Sequence, residues 1–201
     1  MAAAPKRKKA TLGARERILA AARPLIAQHG FEATSTKEIA ELAGVPSGLI
    51  FYYFETKDAL IEAIFDDNLA AQVLQDVRDA ARRDPADAIG AAVRALFKRM
   101  QEHRYQAFIL MAEIVSSRPI AKRLRLLRKN WLVAFAEFLR TRSGGVRTAV
   151  DPEMLAQVVG SSIFAAVLVD QPSDVDAYIK GLASIVRTGL APAPESAKMT
   201  R

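Results

Sequence analysis

Residues 30–60 read GFEATSTKEIAELAGVPSGLIFYYFETKDAL and carry the most informative local pattern in this chain. Ser35 is followed three residues later by Glu38, the spacing of a capping box, which predicts a short helix that ends at Gly44. Pro46 then predicts the start of a second short helix. Two short helices around a glycine turn form a helix-turn-helix, whose second helix can enter the DNA major groove. Many helical proteins contain such a pair, so this geometry alone leaves a purely structural role open.

The side chains around this turn fall into two sets. The hydrogen-bond donors are Thr36, Lys37, Ser47, Tyr52, Tyr53 and Lys57, and the residues able to bury are Ile39, Leu42, Val45, Ile50 and Phe54. Donors at helix N-termini suit phosphate oxygens, which favours DNA contact. Two simpler interpretations stay open, in which Ser47 only caps its helix and Lys57 is only a solvated lysine.

Residues 12–65 resemble the tetracycline-repressor (TetR) family of transcriptional regulators. The resemblance rests on the Gly30-Phe31 pair, the AGV turn, the glycine that opens the second short helix, and FYYF-x-x-Lys, all in fixed register. It implies that Thr36 and Lys57 bind phosphates, that Ser47, Gly48 and Leu49 approach bases, and that Tyr52 and Tyr53 contact backbone or base edges. With Lys37 these residues form the predicted DNA-binding set. Phe51 stands where the family usually has Tyr, and we expect it to pack in the core.

The composition limits the other classes of function. The 201 residues are 51% hydrophobic, enough for a buried core, and include no cysteine and two histidines. Neither thiolate chemistry nor a nucleophile-base pair nor metal-ligand spacing is indicated, so we expect no enzyme, no catalytic or metal site and no cofactor. No signal-type segment and no uninterrupted run of about eighteen apolar residues is evident, which predicts a cytoplasmic protein without a membrane partner.

Two segments carry the excess positive charge. Residues 1–17 hold six basic side chains against one acidic, and residues 118–142 hold eight against one, within a net charge of +7. Such segments seek phosphates or other anionic surfaces, although a solvated face is the more ordinary interpretation. On the second segment, Arg118, Lys122, Arg125 and Lys129 share one face, where an anion site is a minor alternative.

Apolar spacings of three and four residues predict an all-α protein. We expect an N-terminal three-helix helix-turn-helix domain and a larger C-terminal helical domain for ligand binding and dimerisation. The predicted division is a disordered basic arm at 1–11, the DNA-binding domain at 12–56, the C-terminal domain at 57–190 and a disordered tail at 191–201. The first helix is predicted at 12–29 with a kink at Pro24, and the fourth, opened by Thr56, is predicted to reach the boundary at 82–85. Later helices are predicted at 86–102, 105–117, 119–142, 152–169 and 173–189.

Two further sets of residues are predicted in the C-terminal domain. An apolar ligand pocket could be lined by Phe97, Met100, Phe108, Met111, Glu113, Trp131, Phe135 and Phe164. Buried Glu113 would need an arginine, solvent or a ligand as its partner. The resemblance implies dimerisation through the last two helices, for which the candidate residues are Leu155, Val159, Ile163, Val167, Ile179, Leu182 and Val186; an intramolecular core is the alternative.

The leading hypothesis is a homodimeric regulator, most simply a repressor, that binds a pseudo-palindromic double-stranded DNA operator and is released by an unknown, largely apolar small molecule. One rival is a helical protein that uses its basic stretches on anionic lipid or acyl carriers. A second rival is a DNA-coating protein indifferent to sequence, which would show steep salt dependence with little discrimination.

Overall fold

The computed structural model describes residues 13–65, 67–116, 119–144 and 146–193. The predicted basic arm at 1–11 and most of the predicted tail lie outside them. Within the described residues the chain is helical and has no β-strand, which confirms the all-α prediction. Chain contacts divide it into two units, residues 1–65 and 66–201.

The described residues of the first unit, 13–65, form α1 (Ala14–His29), α2 (Thr36–Ala43), α3 (Gly48–Tyr53) and α4 (Lys57–Ile64). Helix α1 continues through Pro24, because its apolar face, including buried Ile18 before the proline and buried Ile26 after it, extends on both sides. The core of the unit is completed by Ile39, Ile50, Phe54, Leu60, Ile61 and Ile64.

The domain boundary differs from the predicted one. Thr56 does open α4, and its side-chain oxygen accepts a hydrogen bond from Ala59 N at 3.0 Å. The helix ends at Ile64, however, and α4 belongs to the first unit, whose last residue is Phe65. The predicted domain boundary at residue 56 was therefore wrong, and so was the prediction that the fourth helix reaches 82–85. The apolar residues of α4 are buried in this unit, where α4 packs on α1, which a helical repeat alone cannot reveal.

The second unit consists of α5 (Asp67–Arg83), α6 (Ala88–Glu102), α7 (Arg104–Ile114), α8 (Pro119–Arg142), α9 (Pro152–Ala165), a π-helical segment (Ala166–Asp170) and α10 (Val175–Leu190). Aspartate side chains begin three of these helices: Asp87 accepts from Gly90 N at 3.0 Å, Asp151 from Glu153 N at 2.6 Å and Asp174 from Ala177 N at 2.9 Å. The predicted later helices agree with the structure to within a few residues at each end, apart from the π-helical turn.

The start of the predicted tail is ordered. Thr148 and Pro192 form an isolated antiparallel bridge, in which Ala149 N donates to Ala191 O at 2.8 Å and Ala193 N to Arg147 O at 2.9 Å. The prediction of disorder from residue 191 onward was therefore wrong for residues 191–193. Their backbone groups form hydrogen bonds with the segment that precedes α9. Residues 194–201 lie outside the described part.

By length and composition, the segment Pro152–Asp170 could cross a membrane, with a mean hydropathy of 1.6. Buried helices of folded domains pass the same test. Leu155, Val159 and Ile163 of this segment are packed in the core of the second unit, and a third of the segment is buried.

Candidate nucleic-acid interface

The turn between α2 and α3 is fixed by its backbone. Gly44 adopts φ 63° and ψ 44°, the left-handed conformation that glycine tolerates, and ends α2 with its N–H directed to Ala40 and Glu41 carbonyls. Val45 N also donates to Ala40 O at 3.0 Å. These bonds satisfy the last carbonyls of α2 and turn the chain into α3, as a helix-turn-helix requires.

The beginning of α2 has the predicted capping box. Ser35 Oγ accepts from Glu38 N at 3.1 Å, while Glu38 Oε2 accepts from Ser35 N at 2.8 Å and from Ser35 Oγ at 2.9 Å. These hydrogen bonds from Ser35 hold the pKa of the Glu38 carboxyl below its ordinary value. Thr36 and Lys37 follow directly, half-buried and exposed respectively, at the N-terminal end of α2, where backbone N–H groups favour anions.

Helix α3 is anchored on one side and exposed on the other. Ile50 and Phe54, one helical turn apart, are 1% and 3% exposed. Tyr52 lies on the opposite side and is 78% exposed, with the ring of Tyr53 edge-on to it at 5.1 Å between centroids. Ser47 occupies the N-cap position of α3, but its side chain makes no capping hydrogen bond.

The predicted base-reading residues share the exposed region at the start of α3. Ser47 and Gly48 are exposed and Leu49 is half-buried. A Cβ added at Gly48 would meet no atom within 4 Å, so the surface around this glycine is open. Backbone and short side chains therefore lie uncovered at the end of α3 that would approach a groove.

Lys57 has a defined structural position. Its ammonium donates to the carbonyl oxygens of Phe31 and Glu32, at 3.3 Å for the latter, and lies 4.3 Å from the centroid of the Phe31 ring. The lysine thus ties the start of α4 to the loop between α1 and α2. The interpretation of Lys57 as a freely solvated lysine was therefore wrong. The phosphate-binding role that the resemblance implies stays a prediction.

Two apolar residues of the helix-turn-helix are more exposed than predicted. Phe51 is 55% exposed and Leu42 is 60% exposed, so neither contributes to the core. The expected core packing of Phe51 was wrong, because α3 has six residues and buries the side defined by Ile50 and Phe54. One residue along a helix rotates a side chain by about 100°, which takes Phe51 to the surface. Its large apolar side chain beside the donor-bearing tyrosines is the feature of this site that sequence reasoning missed.

The predicted ligand-pocket residues differ in how deeply they are buried. Phe97 and Phe135 are buried in the core of the second unit, and Trp131 stacks on Phe135 with centroids 5.4 Å apart. Met100 and Phe164 are half-buried, while Phe108 and Met111 are 47% and 37% exposed. Glu113 is buried, at 6% exposure, and has an interaction partner.

The predicted dimer residues also need correction. Leu155, Val159, Ile163, Val167, Ile179, Leu182 and Val186 are each at most 8% exposed within a single chain and belong to its core. They are therefore not available to a partner chain. The intramolecular alternative is the one the structure supports, because these residues form the inner faces of α9, the π-helical segment and α10.

The described residues thus form an exposed helix-turn-helix on one helical unit, followed by a second helical unit. Residues 18–64 match the family model described as "Bacterial regulatory proteins, tetR family". The helix-turn-helix regulator YvkB of Bacillus subtilis is 49% identical over 49 residues, which cover 24% of this chain and 26% of YvkB. The repressor KstR2 of Rhodococcus jostii is 25% identical over 89% of this chain and 92% of its own length.

Solved structures share the whole fold. The regulator FadR from Bacillus subtilis, crystallised with stearoyl-CoA, superposes with a TM-score of 0.69 at 20% identity, covering 87% of this chain and 98% of FadR. PfmR from Thermus thermophilus gives a TM-score of 0.65 at 19% identity over 93% of this chain and all of PfmR. The chain is thus similar to TetR-family transcriptional regulators, through the family model over residues 18–64 and through relatives that span most of its length.

Proposed function

We propose that this regulator is a homodimeric repressor that binds a pseudo-palindromic operator in the cytoplasm and is released by a small molecule. The observation that carries the DNA-binding part is the division of α3 into a buried side and an exposed side bearing Ser47, Gly48 and Tyr52. In a dimer, two such helices would enter successive major grooves, about 34 Å apart.

The residues are assigned by the chemistry they can offer. Thr36 and Lys37, at the start of α2, bind phosphates, and Lys57 adds positive charge beside the loop that it ties down. Ser47, Gly48 and Leu49 approach base edges, and Tyr52 and Tyr53 donate to backbone or bases. Phe51 supplies an apolar contact of the kind that suits a thymine methyl group.

The dimer surface is assigned to the exposed faces of α9 and α10. Met154, Val158 and Ile185 are 58%, 37% and 56% exposed, although they lie on the apolar helices whose other sides form the core. Gly181 on α10 is open, since an added Cβ would meet no atom within 4 Å. Apolar side chains next to a small residue allow two helices to approach closely, as a two-fold four-helix bundle requires.

Repression and release are supported by the relatives. KstR2 is named as a repressor, and FadR was crystallised with stearoyl-CoA. A ligand bound to the second unit would favour a conformer in which the two recognition helices of the dimer have a different separation. This conformer would bind the operator less tightly.

DNA binding is tested by fluorescence anisotropy with DNA from immediately upstream of the gene for this protein, against a scrambled duplex at two salt concentrations. We expect a preference of about a thousandfold for the upstream DNA. Tyr52→Ala should weaken specific binding at least about tenfold, a loss of roughly 1.4 kcal/mol, while Tyr105→Ala, an exposed tyrosine on α7, should leave it unchanged. Equal, salt-sensitive binding to both duplexes would contradict operator recognition.

The phosphate assignment has its own readout. Lys37→Gln should reduce the slope of log affinity against log salt by about one and weaken all sequences alike. Lys98→Gln, an exposed lysine on α6, is the matched control and should leave the slope unchanged. A change in base preference without a change in salt slope would assign Lys37 to base reading instead.

The dimer is tested by sedimentation velocity. Val158→Glu and Ile185→Glu should each shift the protein from dimer to monomer, because a charge buried between two chains has no partner there. Leu126→Glu, at an exposed apolar position on α8, should leave the dimer intact. A wild-type monomer, or dimers that survive both glutamate substitutions, would refute the assignment of this surface.

The proposed release by a ligand is refuted if ligand-saturated and free protein bind the operator equally.

A further inference from the structure

A cleft in the second unit has the size of a small-molecule site. Its volume is about 320 Å³, and it is lined by Phe97, Gln101, Arg104, Ala166, Val167, Gln171, Pro172 and Val175. Ligand sites in proteins are about 300–1,000 Å³ and combine apolar walls with a few polar groups. Of the eight residues predicted from sequence to line a pocket, only Phe97 is in this wall.

The apolar wall is held in place by the core. Phe97 is 2% exposed, and its ring is tilted against that of Tyr178 at 6.1 Å between centroids. Ala166 and Val167 are 2% and 8% exposed, so three of the lining residues are anchored in the packed interior. This wall is therefore preformed rather than assembled by a ligand.

Arg104 supplies the positive charge of the cleft. No aspartate or glutamate of the described residues lies within ion-pair distance of its guanidinium, which is 5.5 Å from the Tyr105 ring centroid. By contrast, other arginines of the same unit have acidic partners, among them Arg94 with Asp176, Arg99 with Asp76, Arg140 with Glu153, and Arg187 with Asp87. A guanidinium presents two parallel N–H groups that match a carboxylate.

The backbone of the lining segment 166–171 is unusual. Residues 166–170 form a π-helical turn that continues α9, and Gln171 follows with φ 39°. Among the described residues, Gln171 is the only non-glycine with positive φ. Its N–H donates to Ala166 O at 3.0 Å, which closes the turn. π-helical turns and left-handed non-glycine residues occur preferentially at functional sites, where they aim side chains that a regular helix would direct elsewhere.

We propose that this cleft binds a small carboxylate with an apolar body, and this inference rests on the proposed role of the second unit as the ligand-sensing part. The carboxylate pairs with Arg104, the amides of Gln101 and Gln171 donate to it or to a neighbouring polar atom, and the apolar body lies on Phe97 and Val167. A volume of 320 Å³ admits a molecule of roughly ten non-hydrogen atoms, since one water takes about 30 Å³ of liquid.

The test is isothermal titration calorimetry of the full chain with octanoate and 3-phenylpropionate, against octanamide and 3-phenylpropanamide. The amides have the same shape without the charge. We expect at least one of the carboxylates to bind at one site per chain, at least tenfold more tightly than its amide. Arg104→Gln should remove that preference, and Arg78→Gln, an exposed arginine on α5 away from the cleft, should keep it. Gln101→Trp, which narrows the cleft, should weaken both classes of ligand.

Absence of binding by both carboxylates at millimolar concentration would overturn the proposal, as would carboxylate binding that Arg104→Gln and Gln101→Trp leave unchanged. Circular dichroism of each variant confirms that it is folded. These titrations contain no DNA, so their failure is distinct from a failure of operator binding or of dimerisation in the experiments above.

Discussion

Gly189→Ala adds one methyl group near the end of α10, and the surrounding distances determine the sign of its effect. A Cβ at Gly189 would lie 2.7 Å from Leu155 Cδ2 and 3.0 Å from Leu155 Cδ1. Alanine stabilises a helix relative to glycine by up to about 1 kcal/mol, whereas overpacking of a core costs about 1–3 kcal/mol. Because Leu155 is 3% exposed and enclosed by other core residues, its methyl groups cannot move away cheaply. The clash should outweigh the gain in helix propensity, so that Gly189→Ala lowers the free energy of unfolding by about 1 kcal/mol.

The same substitution should change sign when Leu155 is truncated. Leu155→Ala alone should cost about 2–5 kcal/mol, because it removes apolar contacts and leaves a cavity. It also removes Cγ, Cδ1 and Cδ2, the three atoms that the new methyl would meet. In this background Gly189→Ala should stabilise by about 1 kcal/mol through helix propensity and partial filling of the cavity, which makes the coupling energy about 2 kcal/mol.

The four proteins of this cycle are compared by urea unfolding, followed by far-UV circular dichroism and by the fluorescence of Trp131, the single tryptophan of the chain. Equal effects of Gly189→Ala in the two backgrounds would refute the reasoning, since they would show that Leu155 and the added methyl do not meet.

Three further predictions concern helix caps and charges. Ser35→Ala removes the hydroxyl acceptor of the α2 capping box and should lower the free energy of unfolding by about 1 kcal/mol in thermal denaturation. Hydrogen bonds from Ser35 lower the pKa of Glu38 in the folded protein. The stability that they contribute is therefore present above the unfolded-state pKa of Glu38 and is lost as pH falls through its folded-state pKa. Glu38→Gln should remove this acid-dependent loss of stability, and an unchanged dependence of stability on pH would contradict the assignment. Asp87→Ala should lower the free energy of unfolding by about 1 kcal/mol, because Asp87 caps α6. Arg187→Ala removes only the exposed ion pair with Asp87 and should lower the free energy of unfolding by less than about 1 kcal/mol. Urea titrations that reverse this order would show that the ion pair matters more than the cap.

Helix positions could be predicted from sequence because their signals are local. The capping box at Ser35, the left-handed glycine at 44 and the proline at the start of α9 each act on neighbouring backbone groups, and the structure has them as predicted. The register of the helix-turn-helix follows from the same signals, which is why the exposed donors of α3 could be named in advance.

Contacts between distant segments could not be predicted in this way. Val159 and Val158 are adjacent apolar residues on α9, yet one is fully buried in its own unit and the other is 37% exposed. A helical repeat shows that an apolar stripe exists but not whether its own chain or a partner covers it. The predicted dimer residues consequently proved to be core, and the exposed stripe beside them carries the dimer proposal.

Helix α7 shows why the exposure of single residues could not be predicted from an apolar pattern. Its apolar residues surround the helix, so the pattern that normally identifies the inner face is missing. In the structure Gln106 and Glu113 are buried with Ile109, while Phe108 and Met111 are exposed. Gln106 bonds to the ring of His103 at 3.2 Å, and Glu113 also has a partner, so the polar groups are satisfied inside. Because a buried polar group without partners costs more than an exposed apolar one, the few polar residues of such a helix determine its orientation. The sequence identified Glu113 as the distinctive residue of α7, but the direction in which it pointed depended on partners supplied by the fold.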